Sequence, residues 1–331
     1  MMEKIKKSKI VLFFALVCVS FICGGCAEKE IKAPSMNSVR SAWVVYWDWE
    51  NGKNEASSSH YHDLVAFAVN FDVDAGLLYP SQIAPKDLQE SAEKHLYLSF
   101  VNDIKTENGD YLHKDIKFLA GLLRNEKART KHVNDVIAIC KEKGFTGIEI
   151  DYENIWKDKG LVKNFADFIK KLHKESKRHN LKLRVVLETR SLEYAEIFPD
   201  EIEYVVMFYN LYGIHTGPGP KANEAFIVNT LKKMQKLEGI PNIAFAKGGF
   251  VWENGTVTKS LTAKQAGYLA AKFSVEPKRC VDSQALYFDY LHEGKKYTVW
   301  YADAKTIEFW RDIARKYGYK RFSLWRLDGD I

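Results

Sequence analysis

Short apolar, β-branched or aromatic runs recur along this chain, separated by longer stretches with helical periodicity, and this rhythm limits the fold more than any other feature. The runs lie at 42–49 (AWVVYWDW), 64–71 (LVAFAVNF), 95–101 (HLYLSFV), 147–152 (GIEIDY), 182–188 (KLRVVLE), 204–209 (YVVMFY), 242–246 (NIAFA) and 321–325 (RFSLW). Between them, 133–143 stops at Gly144, and 164–178 carries Phe165, Phe168, Ile169 and Leu172 on one helical face. The stretch 304–317 stops at Gly318. Strands that alternate with helices form parallel sheets, since each helix returns the chain to the same edge. Eight such units predict an α/β fold, a (β/α)8 TIM barrel over residues 41–331, with a doubly wound open sheet as its rival. Residues 247–320 are too long for one connection. They contain a helical pattern (AKQAGYLAAKF) and a hairpin turning at His292-Glu293-Gly294, read as an inserted segment between strands 7 and 8 on the carboxyl-terminal face of the barrel.

The amino terminus reads as an address. A basic start and an apolar run at 10–22 precede Cys23-Gly24-Gly25-Cys26. That run is short for a membrane span and suits a signal-peptide core. The segment 1–25 resembles a bacterial lipoprotein signal, which makes Cys26 the lipidated residue and 26–40 a tether. The expectation is an exported protein, lipid-anchored to the bacterial cell membrane and facing outside the cytoplasm; an ordinary secretory peptide is the alternative. Without residues 1–25 the net charge falls from +6 to +3, too weak to suggest nucleic acid. No CxxC or HExxH spacing is present, so neither a metal nor a cofactor is expected. Of the remaining cysteines, Cys140 sits in a helical pattern and reads as a buried thiol, with a disulfide to Cys280 left open. The expected state is a monomer.

The chemistry concentrates in Phe145-Thr-Gly-Ile-Glu-Ile-Asp-Tyr-Glu153. Alternation along a strand places Glu149, Asp151 and Glu153 on one face and Ile148, Ile150 and Tyr152 on the other. Acids crowded on an otherwise apolar strand must be paired or protonated. Crowding raises at least one pKa, and a carboxyl protonated near neutral pH can act as a general acid. Glu153, nearest the strand mouth, is the expected donor. A solvated edge strand is the alternative.

These residues resemble glycoside hydrolase family 18, in its chitinase and cell-wall N-acetylglucosaminidase branch. The family signature reads roughly D-G-x-D-x-D-x-E on the fourth strand. Asp151 and Glu153 match its last two acids, while Thr146 and Glu149 stand where it has aspartates. Met207-Phe-Tyr-Asn210 is similar to the family's M-x-Y-D, with Asn210 for Asp. Trp325 matches the tryptophan that floors the sugar subsite. The resemblance implies retaining, substrate-assisted cleavage, in which the 2-acetamido oxygen of the sugar attacks the anomeric carbon. Glu153 then protonates the glycosidic oxygen, Asp151 orients the acetamido N–H, and Tyr209 bonds its carbonyl. Glu149, Asn210, Trp325, Trp47, Glu188 and Met207 are the expected substrate-binding residues. The implied partner is an N-acetylated glycan: chitin fragments, peptidoglycan or N-glycan. The competing function is a catalytically weak or inactive barrel that binds surface glycans; retention of Glu153 speaks for the enzyme.

Overall fold

The computed structural model describes residues 39–59 and 61–329. The expected signal segment, Cys26 and nearly all of the tether lie outside these residues. Eight strands form the barrel: β1 (Ser41–Val45), β2 (Tyr61–Asp72), β3 (Ala92–Lys105), β4 (Gly147–Asp151), β5 (Lys182–Glu188), β6 (Glu203–Met207), β7 (Ile240–Ala246) and β8 (Phe322–Leu327). Every neighbouring pair is parallel, β1 pairs with β8, and β2 pairs with β3 to close the ring. The fold is a (β/α)8 barrel, and closure excludes the open sheet.

The helices lie where the apolar periodicity placed them and begin earlier. Lys159–Arg178 starts five residues before the expected Asn164, because the Asp158 side chain caps it by accepting the amide of Leu161. Its buried face carries Leu161, Val162, Phe165, Phe168, Ile169 and Leu172. Glu126–Lys143 is capped by the Asn125 side chain and ends at Gly144, whose φ of 80° is the left-handed conformation that glycine adopts at low cost. The first strand departs most from expectation. It stops at Val45; Tyr46–Asp48 is a 3-10 turn and Trp49–Ser57 a helix. The aromatic run 42–49 therefore serves three environments. Trp43 is inside the barrel, Tyr46 and Trp47 lie at the rim, and Trp49 is buried in the core outside the barrel.

The inserted segment is larger than the expected helix and hairpin. Strands 248–253, 256–261, 278–279, 286–292 and 295–302 form an antiparallel five-stranded sheet, backed by the helix Ala263–Lys272. Val251, Leu261, Ala266, Phe288 and Val299 give it an apolar cluster of its own. The indole N–H of Trp252 donates to the Thr216 carbonyl at 3.0 Å, tying the insertion to the loop after β6. Cys140 and Cys280 are both free thiols.

Inside the barrel the core is polar as well as apolar. Glu149 on β4 and Arg184 on β5 are register partners, both fully buried, with Arg184 Nε 2.7 Å from Glu149 Oε2. Arg184 also donates to Ser41 on β1 (2.9 Å), and Ser41 meets Ser323 on β8 (2.7 Å). Ser323 donates to Asn242 on β7 (2.9 Å), and Asn242 to Glu203 on β6 (2.8 Å). One chain of hydrogen bonds thus crosses six strands. The guanidinium also lies 5.0 Å from the Trp43 ring centroid and 5.3 Å from that of Tyr97. Burial opposes charge on Arg184, but Glu149 and then Glu203 outweigh it and hold its pKa above the ordinary value.

Removing one partner of a buried ion pair strands the other charge in low dielectric. Arg184→Met should cost about 3–5 kcal/mol in denaturant unfolding. Arg184→Met combined with Glu149→Leu should recover part of that loss.

Candidate active site

β4 carries the acids to the mouth of the barrel. Asp151 ends the strand, 5% exposed, and Glu153 lies two residues beyond with its side chain 24% exposed. Two devices fix the backbone at Glu153. The buried Asn102 side chain accepts the Glu153 amide (2.9 Å) and donates to its carbonyl (3.1 Å). Asn154 then turns the chain in the left-handed conformation (φ 65°), its amide donating to Glu188 Oε2 at 2.5 Å. The indole of Trp156 donates to the same oxygen at 3.0 Å.

A cavity of about 400 Å3 opens above these acids. Asp151, Glu153, Met207, Tyr209, Asn210, Trp47 and Trp325 line it, so seven of the nine residues expected at the site converge. Trp325 meets Phe67 edge to face at 4.9 Å and Trp43 at 5.7 Å, which fixes its ring beside the acids. Trp47 is 52% exposed and packs edge-on against Phe67 at 5.6 Å. An aromatic face left open to water next to fixed carboxyl groups suits an apolar sugar face.

Glu149 and Glu188 do not line the cavity with the other seven. Glu149 lies one strand repeat below Asp151, covered by Trp43, whose indole donates to it at 2.7 Å, and by Arg184. Glu188 ends β5 but turns its carboxylate to the 154–156 loop. Burial raises its pKa first, with Glu153 adding to the effect.

The family model for glycosyl hydrolases of family 18 matches residues 43–330. The chain belongs to glycoside hydrolase family 18. It is 24% identical over 233 residues to a Bacillus subtilis (strain 168) protein named uncharacterized glycosylase YvbX, covering 63% of this chain and 65% of that relative, under two thirds of its length. The fold resembles a chitinase from Chromobacterium violaceum, with a TM-score of 0.73 at 19% identity over 88% of this chain and 95% of that one. It also resembles the Bacillus cereus spore cortex-lytic enzyme SleL, with a TM-score of 0.72 at 18% identity over 87% and 71% of the two chains.

In this family 18 barrel burial and neighbouring charge act together on Asp151. Burial pushes the Asp151 carboxyl well above the usual carboxylate range, and Glu153 and Glu149 push it further. Lys114 opposes this without overcoming it. The crowding expected along the strand thus favours a proton on its middle carboxyl. At the strand mouth the Lys114 ammonium lies 2.9 Å from Glu153 Oε1. Burial disfavours charge on Lys114, but Glu153, Asp151 and Asp103 raise its pKa above the ordinary value. Tyr209 is likewise held as a phenol, by burial first and then by Asp151 and Glu153, so it remains a donor.

Sequence reasoning missed Lys114, Asp103, Tyr111, His113, Asn70 and Phe67, all of which line the cavity. Beyond its barrel portion β3 continues to Lys105 and pairs antiparallel with 111–112, which returns His113 and Lys114 to the site. The Asn108-Gly109 pair between two β-prone runs was the available signal for this hairpin.

A carboxyl whose pKa is raised by folding binds a proton that the unfolded chain releases. Its contribution to stability falls as pH rises from the usual carboxylate range through the raised value. Asp151→Asn removes that penalty. Thermal unfolding should show the variant more stable than the parent at pH 7, with the difference shrinking towards pH 4.

Proposed function

We propose that the protein is a retaining glycosidase that cleaves β-linked N-acetylglucosamine-containing glycans by substrate assistance, with chitooligosaccharides or peptidoglycan as the polymer. The observation that carries this reading is the convergence of Asp151, Glu153 and Tyr209 on one aromatic-walled cavity at the carboxyl end of the barrel. Family membership and the likeness to SleL and to a chitinase support the substrate class.

Each residue has a task matched to its surroundings. Glu153 is the most exposed of the three strand acids and reaches the glycosidic oxygen as general acid, then activates water. Asp151, sunk between two other acids, orients the acetamido group. As substrate reacts, the Asp151 proton passes to Glu153, which delivers it to the glycosidic oxygen, and Asp151 is left as the anion that faces the positive charge developing on the acetamido nitrogen. Tyr209 donates to the acetamido oxygen and so aims it at the anomeric carbon. Trp325 forms the floor on which the sugar ring sits, and Met207 and Asn210 fill the wall beside Tyr209. No enzyme carboxylate is required as nucleophile, so Glu149 is free to serve the barrel interior.

The apolar run at 10–22 and Cys26 support export and lipid anchoring, which would place the cleft outside the cytoplasm. Among the described residues no helix is long and apolar enough to cross a membrane.

Glu153→Gln should lower kcat on chitooligosaccharides or purified peptidoglycan by about 100- to 10,000-fold, the range lost with a general acid. Undiminished turnover would remove the catalytic assignment, and tight oligosaccharide binding without turnover by the parent would favour the glycan-binding alternative. The parent should cleave an aryl N-acetylglucosaminide and leave the matching glucoside, which lacks the acetamido group, intact. Cys26→Ala should abolish incorporation of radiolabelled fatty acid in cells.

A further inference from the structure

Lys114 has no place in the chemistry above, yet it stands closer to Glu153 than any other charged side chain for which an ion pair is formed there. Its position is built rather than incidental. Asp103 at the end of β3 accepts the Lys114 amide at 3.0 Å, pairs with the ammonium at 3.6 Å and meets His113 Nδ1 at 3.2 Å. Lys114 itself takes the left-handed conformation (φ 55°), and its carbonyl accepts from the Asn154 side chain at 3.4 Å, next to Glu153 in the chain. The hairpin and the catalytic turn are therefore fastened to each other at the point where the cation meets the acid.

We infer that Lys114 is a positioning residue that holds Glu153 as a carboxylate in the empty cleft and sets the alkaline limit of activity. This rests on the glycosidase reading, since the limit is that of the general acid. A general acid must carry a proton when substrate arrives, and a cation 2.9 Å away favours the form without it. Other groups face the same space. Asp103 comes from β3, Tyr111 and His113 from the hairpin, Asp151 from β4, Glu188 from β5 and Tyr209 from the end of β6. Among them Lys114 is the group whose cation lies within ion-pair distance of Glu153. A lysine here restricts the enzyme to lower pH and in return keeps the acid in one orientation.

The test is the pH profile of kcat/KM on a chitooligosaccharide for the parent, Lys114→Met, Lys114→Gln and Lys114→Arg. Removing the cation should move the alkaline limb up by about one pH unit or more, the size of effect expected from an opposite charge at this distance. Lys114→Arg should keep the parent limb. A limb that stays in place in both neutral variants would overturn the inference. Carboxyl 13C NMR of Glu153, assigned with Glu153→Gln, reads the same titration without turnover. Its midpoint should rise in Lys114→Met or Lys114→Gln, whichever is obtained folded, and stay in Lys114→Arg. If the parent cleaves no N-acetylated glycan, the proposed function fails, while the NMR midpoint still decides the role of Lys114.

Discussion

Three carboxyl groups stacked along one face of β4 and its extension are the constraint around which the rest of this barrel is arranged. Such a stack is untenable in an apolar interior unless each member is separately compensated. The three solutions differ. Glu149 at the bottom is balanced by a buried guanidinium, Glu153 at the top by an ammonium at the cavity wall, and Asp151 between them sits where burial and its neighbours favour the acid form. A cation reaches the lower acid from the neighbouring strand and the upper one from the hairpin.

The lower solution also organises the fold. Arg184 is held by Glu149, by Ser41 and by the rings of Trp43 and Tyr97, and the hydrogen bonds that begin there continue round the interior to Glu203. A buried network of this kind contributes little net stability when complete and costs heavily when broken. Its consequence for the site is positional. Trp43 donates to Glu149 and packs against Trp325, so the electrostatic core and the aromatic floor of the cavity share one side chain.

Much of the architecture was legible because barrel strands and their helices obey short-range rules. The apolar runs marked all eight strands, the face of the helix at 159–178 followed from its periodicity, and Gly144 marked the end of the helix at 126–143. The spacing of Glu149, Asp151 and Glu153 predicted their common face. What escaped the sequence was the identity of the compensating groups. Arg184 lies in the run KLRVVLE, where an arginine flanked by apolar residues reads as an outward side chain until the register with Glu149 is known. Lys114 lies among many lysines in a hairpin whose return to the cavity depends on how far β3 extends. Glu188 sits at a strand end that faces the active side of any such barrel, yet its carboxylate is taken by the Asn154 amide and the Trp156 indole. In each case the deciding partner is remote in sequence.

With a cation beside each outer acid, the middle one is the acid that binds a proton. Neutron diffraction from crystals grown in deuterated buffer at mildly acidic pH tests it most directly. A deuteron is expected on the Asp151 carboxyl and none on Glu149 beside Arg184. A bare Asp151, or a deuteron on Glu149 instead, would contradict it.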